Sequence, residues 1–417
     1  MAKLIIDSQD TFTERERQLL HTLAGQVAEL AARPIEDEKR ELWLRHNALQ
    51  PTRPVIFCDP ENGWNEIIRP EHLACESELA REWEFRLRRE IFWGTEMGDD
   101  RVIIPFFEVP HVAVESDWGM HETRVGGLHG GAYTWDPPLK DYADFDQLHY
   151  PEITVDAAAT ERRVALAEEI LGDLLTVRVK TLWWWTLGMT WTLVNLRGLM
   201  QIMYDMVDVP DDLHRLMALL RDGHLAKLDW LEAHGLLSLN NDGTYVGSGG
   251  FGWTDELPQK DFAGRVRPCD MRGFGESQET VGVSPEMYAE FVLPYQLPIL
   301  SRFGLNCYGC CEPLDKRWEY VRQIPRLRRV SVSPWSNRAF MAEQLRANYI
   351  LSMKPNPADL ARDSFDEDKI RAILRADMRT TRDCRVEVIM KDNHTIRNDP
   401  RRVVRWVQIA QEEAGSL

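Results

Sequence analysis

Two adjacent cysteines stand in the segment of the chain that is richest in reactive side chains. The segment runs Tyr308-Gly309-Cys310-Cys311-Glu312 and follows a short apolar run that favours a β-strand. Alternate residues of a strand share a face, so Tyr308, Cys310 and Glu312 are predicted to point together. With the imidazole of His394, Cys310 and Glu312 would supply the three protein ligands that catalytic zinc usually takes. The alternative is that Cys310 is simply a small buried apolar residue.

Three further side chains are candidates for acid–base chemistry. Glu279 lies in a glycine-flanked acidic segment before a helix, where its carboxylate is predicted to act as an acid–base group or a metal ligand. The alternative for Glu279 is a solvated loop charge. His394 follows the last predicted strand and is a candidate ligand or proton donor, unless it only caps the next helix. Tyr308 completes this predicted catalytic set.

Polar or aromatic side chains follow five successive predicted strands, which is where an α/β barrel carries its chemistry. Asn241, Trp335 and Lys354 are the substrate-binding candidates among these strand-end residues. An aromatic cluster at residues 183–185 and 191 is predicted to form either core or the wall of a pocket. Further candidates for binding an anionic group lie in a long loop, where such residues are often only structural: His121, Arg124 and His129.

From about residue 160 the chain alternates helices with short apolar strands. Such alternation predicts parallel strands joined by right-handed crossovers. Six such units and two earlier strand candidates predict a (β/α)8 TIM barrel, with an open doubly wound sheet as the alternative. The last four strands are expected to begin near Leu305, Arg329, Tyr349 and Arg385.

The part of the chain before this alternation has a different character. Residues 1–100 are predicted to be an N-terminal helical extension packed on the barrel, and Thr13 and Glu16 form a capping-box pattern at its first helix. Residues 101–417 are assigned to the barrel. Within them, residues 108–160 are rich in His, Trp, Asp, Gly and Pro, which predicts a structured loop or lid.

The composition argues against several classes of function. The 417 residues carry 50 Lys and Arg against 67 Asp and Glu, a formal net charge of −17. Such an acidic chain is a poor candidate for binding nucleic acid or an anionic membrane surface, because both need clustered cations. Seven cysteines are an odd number, which argues against a disulfide framework. With no signal-peptide pattern and no long apolar run, a cytoplasmic, soluble protein is expected.

Motifs in the C-terminal half resemble those of the uroporphyrinogen decarboxylase superfamily. Residues 284–295, SPEMYAEFVLPY, are similar to that superfamily's "SPE-x-Y-x-E-F-x-x-P-Y" helix, and residues 196–210 resemble its "RG…D-x-x-D-x-P" stretch. Tyr308-Gly309-Cys310-Cys311 stands where the corrinoid-linked methyltransferase branch has its "H-x-C-G" zinc motif. Asn393 and His394 fall where that branch has its final metal cysteine. The resemblance covers about residues 160 to 417.

This resemblance implies a (β/α)8 barrel and one of two chemistries. The superfamily contains cofactor-free decarboxylases and zinc-dependent methyltransferases that exchange methyl groups with a cobalamin protein. The Arg-rich "RQAGRY" signature of the decarboxylases is absent from this chain. Tyr308 replaces the first zinc ligand of the methyltransferases, so the implied zinc set is rebuilt from Cys310, Glu312 and His394, with Glu279 as a further candidate.

The resulting hypothesis is a zinc-dependent methyltransferase with a homodimer as one possible assembly. It would move a methyl group between a small methylated substrate, such as a methyl ether, and the cobalt of a separate corrinoid-binding protein. One alternative is a cofactor-free decarboxylase or lyase, with Arg124, Arg197 or Lys354 holding a small carboxylic acid. The other alternative is a non-enzymatic binding protein on the same barrel.

Overall fold

The computed structural model describes residues 11–127 and 133–416 of the chain. Helices and strands alternate over most of this length, as the sequence predicts. The α-helices of the described part are α1 (Glu14–Ala31), α2 (Pro34–Asn47), α3 (Trp64–Ile67), α4 (Glu78–Phe92), α5 (Ala157–Leu171), α6 (Thr190–Arg197), α7 (Leu199–Asp208), α8 (Pro210–Ala233), α9 (Pro285–Phe291), α10 (Leu293–Leu300), α11 (Trp318–Val321), α12 (Arg338–Leu345), α13 (Ala358–Ala361), α14 (Glu367–Thr380) and α15 (Arg401–Ala414).

The strands are short and mostly buried, as expected for a sheet that helices cover. They are β1 (Val55–Cys58), β2 (Phe106–Val109), β3 (Ala113–Glu115), β4 (Thr123–Gly126), β5 (Tyr133–Asp136), β6 (Ile153–Val155), β7 (Thr176–Val179), β8 (Tyr245–Val246), β9 (Gly250–Phe251), β10 (Arg272–Gly275), β11 (Leu305–Tyr308), β12 (Leu327–Val332), β13 (Ile350–Met353) and β14 (Arg385–Met390).

Six strands form one parallel sheet in the order β1-β14-β13-β12-β11-β10. The last four strands along the chain begin at Leu305, Leu327, Ile350 and Arg385, within two residues of their predicted positions. Their parallel pairing confirms the crossover topology that the alternation predicts. The shared direction also places the residues that follow β1, β10, β11 and β14 at one edge of the sheet.

The strands β2 and β7 form a second, separate parallel pair. No closed barrel is found among the described strands, although eight of them are parallel. The apolar run at residues 236–239 predicts a strand, and this prediction is wrong, because these residues are irregular. The side chain of Asn240 instead bonds the backbone of Arg272, accepting from its N–H at 2.8 Å and donating to its carbonyl at 2.9 Å. The Asn240 side chain thus takes the place of a neighbouring strand's backbone at the β10 edge of the sheet.

The hairpin of β8 and β9 packs across the six-stranded sheet. Gly249 lies against Ile389 of β14, and Gly250 lies against Arg329 of β12. A Cβ atom on Gly250 would come within 2.4 Å of the Arg329 guanidinium, so only glycine fits at this position. The glycine-rich run at residues 247–250 predicts a flexible turn, whereas in the structure it belongs to a hairpin that fills the space over the sheet.

The N-terminal hundred residues supply a strand of the main sheet as well as helices. β1 pairs with β14, and Asp100 donates its backbone N–H to Ile56 of β1 at 2.8 Å. The predicted capping box is confirmed, since Thr13 and Glu16 bond each other's backbone N–H groups at 2.8 and 3.3 Å. The predicted boundary near residue 100 therefore does not separate the helices from the sheet.

The described part of the predicted lid is built from small antiparallel units. β3 pairs with β6, and β4 pairs with β5. The loop is therefore structured where it is described, as predicted, while His129 lies outside the described residues. None of the helices in the described ranges is long and apolar enough to cross a membrane.

Candidate functional site

Two strand ends and the hairpin bring the paired cysteines next to a lysine. Cys310 and Cys311 follow β11, and their Sγ atoms are 3.6 Å apart. Lys391 follows β14 and places its Nζ 4.0 Å from Cys310 Sγ. The hydroxyl of Ser248, from the hairpin, donates to the same sulfur at 3.3 Å. Cys311 Sγ in turn lies 3.4 Å from a carboxylate oxygen of Asp392.

These neighbours favour a negative charge on Cys310. The hydrogen bond from the Cys311 thiol and the nearby Lys391 ammonium lower the pKa of Cys310 below its usual value. Burial would lower the pKa of Lys391, but the charges of Cys310, Tyr245 and Glu61 raise it instead. The pKa of Cys311 is shifted the opposite way, upward, by its neighbours and by burial, so Cys310 is the more acidic of the two thiols.

Glu61 is a carboxyl group of the site whose pKa lies near neutral pH. It follows β1 and forms an ion pair with Lys391, with 3.5 Å between Oε1 and Nζ. Burial raises the pKa of Glu61 to about 7, although the Lys391 ammonium opposes this shift. The backbone of Glu61 has a φ of 49°, a left-handed conformation that is uncommon outside glycine. A carboxyl group with this pKa is suited to acid–base catalysis near pH 7.

Glu61 and Lys391 open onto a cavity of about 420 Å³. This volume is in the range of small-molecule sites, which run from roughly 300 to 1,000 Å³. The walls come from β1, β2, α4 and the hairpin, together with Trp185 from the predicted aromatic cluster. Trp185 is half exposed and packs edge-on against Phe274 of β10, with ring centroids 5.7 Å apart.

Three carboxyl groups lie behind the cysteines rather than in the cavity. Glu312 accepts the backbone N–H groups of Ser277 and Cys310, at 2.9 and 2.8 Å, so both of its oxygens serve to hold the loops. Glu279 accepts from the Thr190 hydroxyl at 2.7 Å. Glu276 is fully buried, and burial together with the charges of Glu279 and Glu312 raises its pKa well above the usual value. Burial therefore favours the protonated form of Glu276.

The predicted orientation of Tyr308 is wrong. Its hydroxyl bonds Gln296 at 2.7 Å and Tyr288 at 2.8 Å, among the helices α9 and α10. The prediction assumed that strand alternation continues from Tyr308 to Cys310. Gly309 has a φ of 90°, which breaks the alternation and turns Cys310 to a different side.

His394 and Trp335 are not among the residues that line the cavity. The His394 side chain is exposed and lies against Asn62, with 3.1 Å between Asn62 Nδ2 and His394 Nδ1. Trp335 is 70% exposed. Asp392 has a φ of 61°, so the chain turns directly after β14. The positions of Tyr308, Cys310, Trp335 and His394 at strand ends predict that they line one cavity together, and none of the four lines this one.

The remaining substrate-binding candidates are engaged elsewhere. His121 and Arg124 are exposed and pair with Asp117 and Glu122. The Asn241 amide donates to the Leu257 carbonyl at 2.6 Å. Lys354 is buried, donates to Ser352 at 2.6 Å, and has its pKa lowered to about 8 by burial. None of these four side chains lines the cavity.

The described residues contain no group of three or more His, Cys, Asp or Glu side chains placed to hold a metal ion. Of the predicted ligands, Cys310 stands in the cluster, Glu312 binds backbone amides and His394 lies at the surface. The ammonium of Lys391 meanwhile lies beside Cys310, Asp392 and Glu61, where it balances their charges. The zinc site stays a prediction, and the side chains as folded do not favour it.

Sequence reasoning missed Glu61, the acid of the cavity. The signal is present in the sequence, because residues 55–57 are a short apolar run that favours a strand, Asp59 and Glu61 come within four residues of its end, and strand ends carry the chemistry of parallel α/β folds. The five strand ends that predict chemistry all lie beyond residue 236, so the end of β1 is not among them.

The comparisons with known proteins supply no family. No protein-family model matches the chain, and no curated protein matches it. The assignment of a function therefore depends on the geometry of the site and on the motifs in the sequence.

Proposed function

We propose that the protein is an enzyme that moves a methyl group between a small methyl ether and the cobalt of a separate corrinoid protein. The observation that carries the proposal is the position of Glu61, a carboxyl group with a pKa of about 7, on the wall of the cavity beside Lys391. Cleaving a methyl ether requires a proton for the leaving oxygen, and an acid of this pKa can supply it at neutral pH.

The proposal includes a (β/α)8 barrel of the uroporphyrinogen decarboxylase type. The eight parallel strands have the number and direction that such a barrel needs. Single backbone bonds bridge the free edges of the six-stranded sheet: Asp100 donates to Ile56 of β1, and Leu187 donates to Phe274 of β10, both at 2.8 Å. The pair of β2 and β7 would close the ring between these two edges.

In the proposed reaction Glu61 acts as the general acid. Its carboxyl group donates a proton to the ether oxygen as the bond between that oxygen and the methyl carbon breaks, which leaves an alcohol. The bound corrinoid supplies the nucleophile that accepts the methyl group. The Lys391 ammonium then stabilises the Glu61 carboxylate until a proton returns from solvent. The remaining parts of the cavity hold the ether in line.

A methyl-transfer assay tests this proposal. The purified protein is mixed with cob(I)alamin and a panel of methyl ethers and methylamines, and the loss of cob(I)alamin absorbance is followed. We expect the protein to accelerate the reaction of at least one methyl ether, because proton donation by Glu61 removes the poor alkoxide leaving group. No acceleration with any ether, using either cob(I)alamin or a corrinoid protein, would overturn the proposal.

Zinc, which the family resemblance implies, is tested separately by elemental analysis. We expect zinc well below one ion per chain, because the Lys391 ammonium lies beside Cys310 and would repel a metal cation there, and because Glu312 is held by backbone amides. We derive no step through a metal. The opposite result would be one zinc per chain that is lost in Cys310→Ala but kept in Cys311→Ala. It would support the predicted zinc site, and zinc would then replace Glu61 as the group that activates the ether oxygen.

A cofactor-free decarboxylase or lyase is the second candidate, because cationic side chains line the same cavity. The three side chains that the sequence suggested for binding the substrate carboxylate already bond other protein groups. Arg197 forms a buried ion pair with Asp205 at 2.6 Å, Arg124 pairs with Glu122, and Lys354 bonds Ser352. Release of carbon dioxide from small carboxylic acids, without any corrinoid, would favour this candidate. Binding without turnover would favour the non-enzymatic alternative.

A further inference from the structure

Cys310 and Cys311 are neighbours in the chain, and their sulfur atoms are also neighbours in space. In a β-strand, two successive side chains would point to opposite faces. However, β11 ends at Tyr308, and residues 310–312 form a bend after Gly309, whose φ is 90°. The two Sγ atoms lie only 3.6 Å apart. The bend therefore brings together two thiols that a regular strand would separate.

The two cysteines differ in their access to solvent. Cys310 is 2% exposed, whereas Cys311 is partly exposed. A small oxidant can therefore reach the sulfur of Cys311, while the sulfur of Cys310 is shielded by the protein. Cys269 is the other partly exposed cysteine, and within the described residues it has no cysteine beside it.

Other side chains hold each of the two sulfur atoms. Ser248 donates to Cys310 Sγ at 3.3 Å, and Lys391 Nζ lies 4.0 Å from the same sulfur. Cys311 Sγ donates to a carboxylate oxygen of Asp392 at 3.4 Å, so this carboxylate can accept the thiol proton when Cys311 reacts. A reaction partner that is held this close reacts faster than a second molecule from solution.

We propose that Cys310 and Cys311 form a site of reversible oxidation, at which a hydroperoxide converts the two thiols into a disulfide between consecutive residues. The observations that carry the proposal are the 3.6 Å between the two sulfur atoms and the partial exposure of Cys311. The inference goes beyond the proposed methyl transfer and does not depend on it, because the oxidation needs no methylated substrate, no corrinoid and no Glu61.

The oxidation proceeds in two steps and consumes one hydroperoxide. In the first step the Cys311 sulfur attacks the peroxide and the O–O bond breaks, which leaves a sulfenic acid on Cys311. For hydrogen peroxide, the second oxygen leaves as water with the thiol proton. In the second step the Cys310 sulfur attacks the Cys311 sulfur, so that an S–S bond forms and the S–O bond breaks. The hydroxyl group takes the Cys310 proton and leaves as a second water.

A disulfide at this position would be easy to reduce again. The Cα atoms of consecutive residues are about 3.8 Å apart, whereas most disulfides span about 4.4–6.8 Å, so the bond is strained. Strained disulfides are the labile ones. A bond between consecutive residues also closes no loop of the chain, so it adds no stability by constraining the unfolded state. The product therefore suits reversible modification rather than a structural cross-link.

Peroxide treatment of the reduced wild-type protein tests this site. The folded protein is exposed to hydrogen peroxide, denatured, alkylated with N-ethylmaleimide and digested with trypsin for mass spectrometry. Trypsin releases residues 303–316 as one peptide, which contains Cys307, Cys310 and Cys311. We expect this peptide to lose two hydrogen atoms and two alkylation sites, with Cys307 still alkylated. Dithiothreitol, added before the alkylation, should restore both sites.

Cys269 serves as the internal control, because it is partly exposed but has no partner sulfur. We expect Cys269 to remain alkylated at the peroxide concentration that closes the bond between Cys310 and Cys311. Four results would overturn the inference: a disulfide that includes Cys307, a disulfide between two chains, oxidation to sulfinic acid without a disulfide, and no oxidation of the pair before Cys269.

Two variants check the assignment of the bond. Cys311→Ala removes one of the two sulfur atoms, and we expect its peptide to form no disulfide. Cys307→Ala is the matched control, because Cys307 is buried in the same peptide but lies 3.7 Å from Arg329 Nη1 rather than beside a sulfur. It should keep the full loss of two alkylation sites. An internal disulfide in the Cys311→Ala peptide would contradict the inference, and the wild-type measurement decides the matter if a variant does not fold.

Discussion

Replacement of Glu61 by glutamine is expected to lower kcat of methyl transfer by about 100- to 10,000-fold, the usual contribution of a general acid. The change keeps the shape of the side chain and removes the proton that it donates. KM is expected to change much less, because Glu61 acts on the leaving oxygen rather than on the rest of the substrate. Steady-state kinetics of the purified variant would measure both constants.

The pH dependence of kcat in the wild-type enzyme distinguishes an acid role of Glu61 from a base role. The acid form of Glu61 is required, so kcat is expected to be highest below the Glu61 pKa of about 7 and to fall as the pH rises through it. The fall in kcat around pH 7 should be absent from the pH profile of Glu61→Gln. Glu108→Gln is a suitable control, since Glu108 lines the cavity but pairs with Arg178. A wild-type profile that rises through pH 7 would make Glu61 a base and refute the proposed acid.

Arg329→Met is expected to destabilise the protein by about 3–5 kcal/mol, the usual cost of leaving a buried charge without its partner. Arg329 and Glu387 form a fully buried ion pair at 2.9 Å beneath the hairpin. His46 and Ser352 also contact the Glu387 carboxylate, but neither carries a permanent positive charge. Burial lowers the pKa of His46, which keeps its imidazole neutral. Chemical denaturation at pH 7 would measure the loss.

The neighbouring Arg328 provides a matched control. It donates to the Asn47 carbonyl and forms an ion pair at 2.5 Å with Glu256, whose carboxylate is exposed, and a pair with an exposed partner contributes about 0.2–1 kcal/mol. Arg328→Met should therefore cost far less than Arg329→Met. Similar losses of unfolding free energy in the two variants would show that the buried ion pair contributes no more to stability than the Arg328 pair.

The effect of Arg329→Met should also depend on pH. Burial opposes ionisation, but Arg329 holds the pKa of Glu387 well below its usual value in the folded protein. This contribution to stability is present above the unfolded pKa of about 4.3 and is lost as the pH falls toward the folded pKa. The gap between the wild type and Arg329→Met should therefore narrow below about pH 4, as Glu387 in the variant takes up a proton. A gap that widens in acid would contradict this account.

Most of the secondary structure follows from local features of the sequence. The apolar runs that begin β11 and β14 predict their first residues, and the capping box of Thr13 and Glu16 predicts the start of α1. The parallel pairing also follows, because a helix between two strands leaves few other connections. The sequence by itself likewise determined that Cys310 stands at a strand end, next to the residues that follow β14.

Only the tertiary structure decided which side chains meet there. Glu61 and Lys391 are far apart in the chain, and they form an ion pair because β1 lies beside β14 in the sheet. The sequence carries no local signal that β1 and β14 are neighbours in the sheet. Burial, which raises the pKa of Glu61 to about 7, is likewise a property of the folded cavity. Tyr308 and Cys310 also pack in different parts of the core, because the strand ends at Tyr308 and Gly309 follows it with a positive φ, which strand periodicity cannot anticipate.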